Sequence, residues 1–161
     1  MYTFVEHTQP LEGPAWVAIE RFTAEPVAFL PAPAHRLEGD RWRVTLHAGP
    51  VQHEVALSVG GVWTLPDAWI RPVNWEPTRR REREPKVSLL PRFTGRVALR
   101  QYDSGLQLEI AGHYSPPLGR AGEVLDLQLH RVAERTIETL ADDIAAVFRE
   151  NAEQDPATAR T

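Results

Sequence analysis

The feature that most constrains this chain lies near its C-terminus, where apolar residues fall into the period of a helix. Leu125, Leu129, Val132, Thr136, Leu140, Ile144 and Phe148 recur three or four residues apart, which puts them on one stripe. The opposite face carries Glu134, Arg135, Glu138 and Asp142. The pattern predicts one helix from about Gly119 to about Glu150, roughly 30 residues and so about 45 Å at 1.5 Å per residue. A stripe of that length has to be covered by an element of similar extent. The residues after it, NAEQDPATART at 151–161, are small and polar and are expected to form a disordered tail.

The cover is legible upstream, where the period drops to two. Trp42, Val44 and Leu46 alternate with Arg41, Arg43 and Thr45, and after the Gly49–Pro50 turn Val51, Val55, Leu57 and Val59 alternate with Gln52, Glu54 and Ser58. Residues 67–76 give a weaker strand, because Pro72 lacks a backbone donor and is expected at an edge or bulge. Phe93, Val97 and Leu99 then oppose Arg92, Arg96 and Arg100 in a strand from Leu89 to Arg100. Asp103, Ser104 and Gly105 signal a turn into Leu106, Leu108, Ile110, Gly112 and Tyr114. At the other end of the chain, YTFVEH at 2–7 reads as a first strand ending before Pro10. PAWVAIERF follows as a mainly apolar short helix carrying Trp16, Val17, Ile19 and Phe22, with a second short helix or turn at Pro26–Leu30. Strand, short helices, antiparallel strands and a long helix make an α+β fold. The sheet of six or seven strands needs its apolar face covered, and only the terminal helix is long enough, so the sheet is expected to curve around it.

Length and charge narrow the function classes. At 161 residues, 42% hydrophobic and 25% charged, the chain is expected to form one domain at 1–150 and to need neither disulfides nor metals. There is no cysteine, which removes thiol chemistry and agrees with a reducing compartment. The N-terminus lacks the basic head and apolar run of a signal peptide, and no apolar stretch is long enough to span a bilayer; the expected location is the cytoplasm. A net charge of −4 argues against nucleic acid as a partner. Arg79, Arg80, Arg81, Arg83 and Lys86 do cluster, but Glu82 and Glu84 interrupt them, and the segment reads as a solvated hairpin loop or an anion or partner contact.

At 112–148, GHYSPPLGRAGEVLDLQLHRVAERTIETLADDIAAVF resembles the last strand and grip helix of bacterial proteins of the START-like superfamily, also called SRPBCC. The resemblance rests on Gly112 and Tyr114 at the strand end, Pro116 and Pro117 in the redirection, and Gly119 and Gly122 at the helix start. FLPAPAHRLEGDRWRV is similar to the family's helix-to-strand passage and LLPRFTGRVAL to a later strand, and the chain as a whole resembles bacterial members near the polyketide cyclase/dehydrase-type branch. The resemblance implies a helix grip with a partly hollow interface and a hydrophobic small-molecule ligand. The sequence shows no ligands of the iron–sulfur or mononuclear iron type found in the family's oxygenase branch, so that activity is disfavoured and no cofactor is expected. A fold of this kind hosts carriers, receptors and enzymes alike, so it leaves function open.

Parity places Trp42, Val44, Leu57, Phe93, Leu99, Leu108, Ile110 and Tyr114 on the concave side, facing Val132, Thr136 and Leu140. Trp75 shares parity with Val73 and is assigned inward as well; Trp63 and Trp69 stay unassigned between cavity mouth, dimer face and core. These residues are core, and where the interface is hollow they would line a ligand. His53, on the same face, is a candidate general base or hydrogen-bond anchor, or a half-solvated histidine at a strand end. Tyr114 is a candidate for orienting a carbonyl or a plain core tyrosine, and Arg71 and Thr136 are further polar candidates. The histidines at 7, 35, 47, 53, 113 and 130 form no HExxH or HxH; His130 and Glu134 share a helix face but supply only two ligands, so no metal site is expected. Three functions follow: a binder or carrier of a hydrophobic small molecule; a cyclase- or dehydrase-like enzyme using His53, Tyr114 or Arg71; or a protein-interaction module using the tryptophans and the Arg-rich loop. Monomer and homodimer are both compatible with the sequence.

Overall fold

The computed structural model describes residues 3–48, 50–78, 90–115 and 126–154. The Arg-rich loop at 79–86, the residues Leu89, Pro116, Pro117, Gly119, Gly122 and Leu125, and the tail from 155 onward lie outside the described residues. In chain order the elements are β1 (Thr3–Pro10), α1 (Ala15–Thr23), a single 3-10 turn (Pro26–Ala28), β2 (His35–Arg36), β3 (Arg41–Ala48), β4 (Val51–Val59), β5 (Trp63–Leu65), β6 (Ala68–Pro77), β7 (Arg92–Tyr102), β8 (Gly105–Ser115) and α2 (Asp126–Gln154). The expected six or seven strands become eight because β2 and β5 add very short segments to the six that alternation predicts.

All pairs are antiparallel, in the order β1-β8-β7-β6-β4-β3-β2, with β5 attached to β6. Helix α2 packs against both β1 and β3, and against β8. Those two strands are five steps apart in the sheet, about 24 Å at ~4.8 Å per step, while a helix is only about 10 Å across. One helix can touch both only if the sheet curls around it. The apolar stripe of α2 is accordingly buried at Leu129, Ala133, Ile137, Leu140, Ala141, Ile144 and Phe148.

The curl has a local cause. Gly95 on β7 and Gly112 on β8 face each other on the inner side, and the Phe93 ring lies across both. A Cβ at Gly95 would stand 2.8 Å from Phe93 Cζ, and one at Gly112 would stand 2.7 Å from it. Two opposed glycines let the backbones bend and seat a ring flat on the sheet.

Several expectations are corrected. Strand β1 continues through Pro10, which pairs with Gln107; β1 is the edge of the sheet, where a proline sacrifices no ladder bond. Strand β6 is not an edge but lies between β4 and β7. Its Pro72 sits just where pairing with β4 stops at Val59–Val73, and its carbonyl accepts from Gly60 N at 2.8 Å. The short helix α1 is anchored by Val17, Ala18 and Phe22, while its Trp16 is 48% exposed. Helix α2 runs on to Gln154, beyond the predicted end at Glu150.

Candidate functional site

The register assembles the predicted inward residues into rows. Trp42 pairs with Leu57, Leu57 with Trp75, Trp75 with Phe93, Phe93 with Tyr114 and Tyr114 with Thr3, so one largely aromatic row crosses six strands on the inner face. Trp75 and Phe93 stack at 4.2 Å with their planes 14° apart, and Trp75 Nε1 donates to Pro91 O at 3.2 Å. The inward assignment of Trp75 therefore holds. Neighbouring rows bring Val44 beside Val55, Ile110 beside Val97, and Leu99 beside Leu108 and Trp69. These side chains and Leu140 belong to one continuous apolar cluster, with Val132 and Trp69 packed against it half-buried. Thr136 is fully buried, and its hydroxyl donates to Val132 O at 2.6 Å. Trp63 is different: it is 70% exposed on β5.

The polar candidates separate sharply. Arg71 is buried, and each of its three guanidinium nitrogens donates to a backbone carbonyl: Nε to Phe22 at 2.9 Å, one terminal nitrogen to Gly60 at 2.8 Å and the other to Ala24. The cation lies 5.8 and 5.7 Å from the centroids of Phe22 and Phe29. Burial lowers its pKa, and it forms no ion pair among the described residues. Arg71 thus ties the end of α1 to β6, capping carbonyls that the helix terminus leaves open. His53 is half-buried opposite Leu46, and burial pushes its imidazole below the ordinary 6.5, which keeps it neutral at pH 7. Tyr114 is fully buried.

An open hollow of about 300 Å³ lies at the end of the sheet where β3 begins and β4 ends, lined by Glu25, Arg36, Asp40, Trp42, Val59 and Arg71 among others. Trp42 forms its apolar wall and is also the first residue of the aromatic row. Arg36 lies over the Trp42 ring at 5.9 Å. The hollow therefore borders one end of the row.

No family model matches the sequence, and no curated protein matches it. Solved structures do. Ara h 8.0201 superposes with a TM-score of 0.56 at 10% identity, over 93% of this chain and 99% of that one. A protein of Arthrobacter aurescens gives 0.51 at 14% identity, over 91% of this chain and 86% of its own. A protein of Nitrosomonas europaea gives 0.50 at 12% identity, over 93% and 96%. The chain has the START-like helix-grip fold.

Within the grip, one residue that sequence reasoning considered only as a metal ligand takes on a different character. His130 Nε2 lies 3.0 Å from Glu134 Oε1, one helical turn on, while Nδ1 is buried and has no hydrogen-bond partner among the described residues. Its ring stands 5.9 Å from that of Tyr114, at the far end of the aromatic row. Spacing on the helix predicts the Glu134 contact, but nothing in a linear pattern predicts which nitrogen is buried. Among the described residues no three His, Asp or Glu side chains converge on a point as metal ligands do, and no helix is long and apolar enough to cross a membrane.

Proposed function

We propose that this protein binds or carries a hydrophobic small molecule between the inner sheet face and α2. The observation that carries the reading is the aromatic row from Trp42 to Tyr114, which begins beside an open hollow and ends next to His130, whose Nδ1 has no hydrogen-bond partner among the described residues. Ligand sites combine apolar walls with a few placed polar groups; the row would supply the walls, and His130 and His53 the polar groups. The residues that would line the ligand are Trp42, Val44, Leu57, Trp75, Phe93, Leu99, Leu108, Ile110 and Tyr114 from the sheet, Val132, Thr136 and Leu140 from α2, and His53 at the rim. The cyclase- or dehydrase-like alternative is weaker, because Arg71 spends its donors on backbone carbonyls. Native mass spectrometry of freshly purified protein, before and after organic extraction, tests the reading together with displacement of a fluorescent apolar probe. A co-purifying mass or saturable probe binding is expected; neither appearing would overturn it.

A second reading, protein docking, is supported by one observation. Trp63 and Leu65, on the same side of β5, are 70% and 46% exposed. Concentration-dependent association abolished by Trp63→Ala would favour it, and a monomer at all concentrations would remove it.

A further inference from the structure

The orphaned nitrogen of His130 names the chemistry of the ligand. Glu134 Oε1, 3.0 Å from Nε2, accepts the Nε2 proton, which in a neutral ring leaves Nδ1 as a bare lone pair. That lone pair is shielded from water and has no partner among the described residues. A buried acceptor without a donor is a cost that folded proteins rarely leave standing. Its neighbours on the helix, Leu129 and Ala133, are buried, and the ring of the fully buried Tyr114 is 5.9 Å away. Among the described residues no side chain supplies the missing proton.

We infer that His130 Nδ1 accepts a hydrogen bond from the hydroxyl of an apolar ligand, so that the ligand class is an alcohol or phenol. This rests on the binder reading above and sharpens it. A carboxylate, ester or ketone would set oxygen lone pairs against the nitrogen lone pair, and a plain hydrocarbon would leave it unsatisfied. Only a molecule with an O–H or N–H at its end completes the site, and the hydroxyl does so with least polar surface to desolvate. Glu134 acts here as a positioning residue: by holding the Nε2 proton it fixes the tautomer.

The test uses two probes of nearly equal shape, 1-naphthol and 1-methoxynaphthalene, titrated calorimetrically into the wild type and into His130→Phe. In the wild type 1-naphthol is expected to bind about tenfold tighter, the worth of one net hydrogen bond. In His130→Phe that preference is expected to vanish while the affinity for 1-methoxynaphthalene stays put. A wild type that does not discriminate would mean that a resident water already serves Nδ1, and a preference that survives in the variant would assign it to another residue; either overturns the inference while leaving the binder reading intact. If neither compound binds, the binder reading falls and this inference with it. Nitrogen-15 NMR gives a check independent of any ligand: the Nε2–H tautomer is expected for His130 and is expected to be lost in Glu134→Ala. An Nδ1–H tautomer in the wild type would overturn the assignment.

Discussion

The two ends of the aromatic row handle polarity in opposite ways. At the Trp42 end the buried group is Arg71, a full charge whose every nitrogen is bonded to a carbonyl of the surrounding backbone. At the Tyr114 end it is one atom of the half-buried His130, the inner ring nitrogen, which has no hydrogen-bond partner among the described residues. A buried charge left unpaired would prevent folding, so Arg71 has to be satisfied by the protein itself. A neutral ring nitrogen costs only about 1–3 kcal/mol when left open, which a domain of this size tolerates. Saturated polar groups hold a fold together, whereas open ones are available to something else.

That contrast is broken most forcefully at the saturated end. Arg71→Met removes the donors but leaves the carbonyls of Phe22, Ala24 and Gly60, and is expected to cost on the order of 4 kcal/mol, read from the urea midpoint. Lysine is not a substitute, since a single ammonium cannot span three carbonyls in the fork of a guanidinium. A loss below about 1 kcal/mol for Arg71→Met would show the clamp to be dispensable and remove the contrast. The next largest effect lies mid-row. Gly112→Ala drives a methyl toward Phe93 and the β7 backbone and is expected to cost about 3 kcal/mol, with Trp fluorescence reporting a disturbed Trp75–Phe93 stack. An unchanged spectrum and stability would mean that the bend of the sheet does not depend on this pair.

The outer face provides an intermediate case. Glu109, 8% exposed on β8, accepts from Arg96 Nε at 3.1 Å, from an Arg96 terminal nitrogen at 2.9 Å and from Arg100 Nε at 3.0 Å. Burial alone would raise its pKa, but the hydrogen bonds and charges of Arg100 and Arg96 outweigh burial and hold it below the ordinary 4.5. A carboxyl that is more acidic folded than unfolded adds stability above about pH 4.5, and that stability is lost as pH falls through the lower folded value. Glu109→Gln is therefore expected to cost about 1–2 kcal/mol at pH 7, with the gap closing in acid. A gap that stays constant as the pH falls through and below 4.5 would show that the arginines do not act on Glu109.

Much of this was legible from the sequence, and the parts that were not share a physical reason. Period-two alternation placed Trp42, Leu57, Phe93 and Tyr114 on one face, and a period of 3.6 placed Leu140 and Thr136 opposite them. Both follow from local backbone geometry, which repeats along the chain. The central position of β6 was hidden because Pro72 weakens its pattern, although the missing donor falls where the β4 ladder has already ended. The clamp of Arg71 was hidden because its partners are backbone carbonyls 49, 11 and 47 residues away, and any residue type can supply a carbonyl. The buried nitrogen of His130 depends on how α2 is rotated over β8, a tertiary quantity that no spacing encodes.

The smallest expected effect belongs to the open end. His130→Phe keeps a flat ring beside Tyr114, deletes the orphaned acceptor and gives up a helical pair with Glu134, whose side chain is 54% exposed. Exposed pairs of this spacing are worth about 0.3–0.5 kcal/mol, while removing an unsatisfied buried nitrogen recovers a similar or larger amount. The two nearly cancel, so the urea midpoint of His130→Phe is expected to stay within about 1 kcal/mol of wild type, with a small gain in stability the favoured sign. Arg71→Met and His130→Phe thus mark the extremes of one scale, a polar group the fold needs and one it merely tolerates. A loss above about 2 kcal/mol in His130→Phe would mean that Nδ1 already has a partner inside the protein, and the two ends of the row would then be alike.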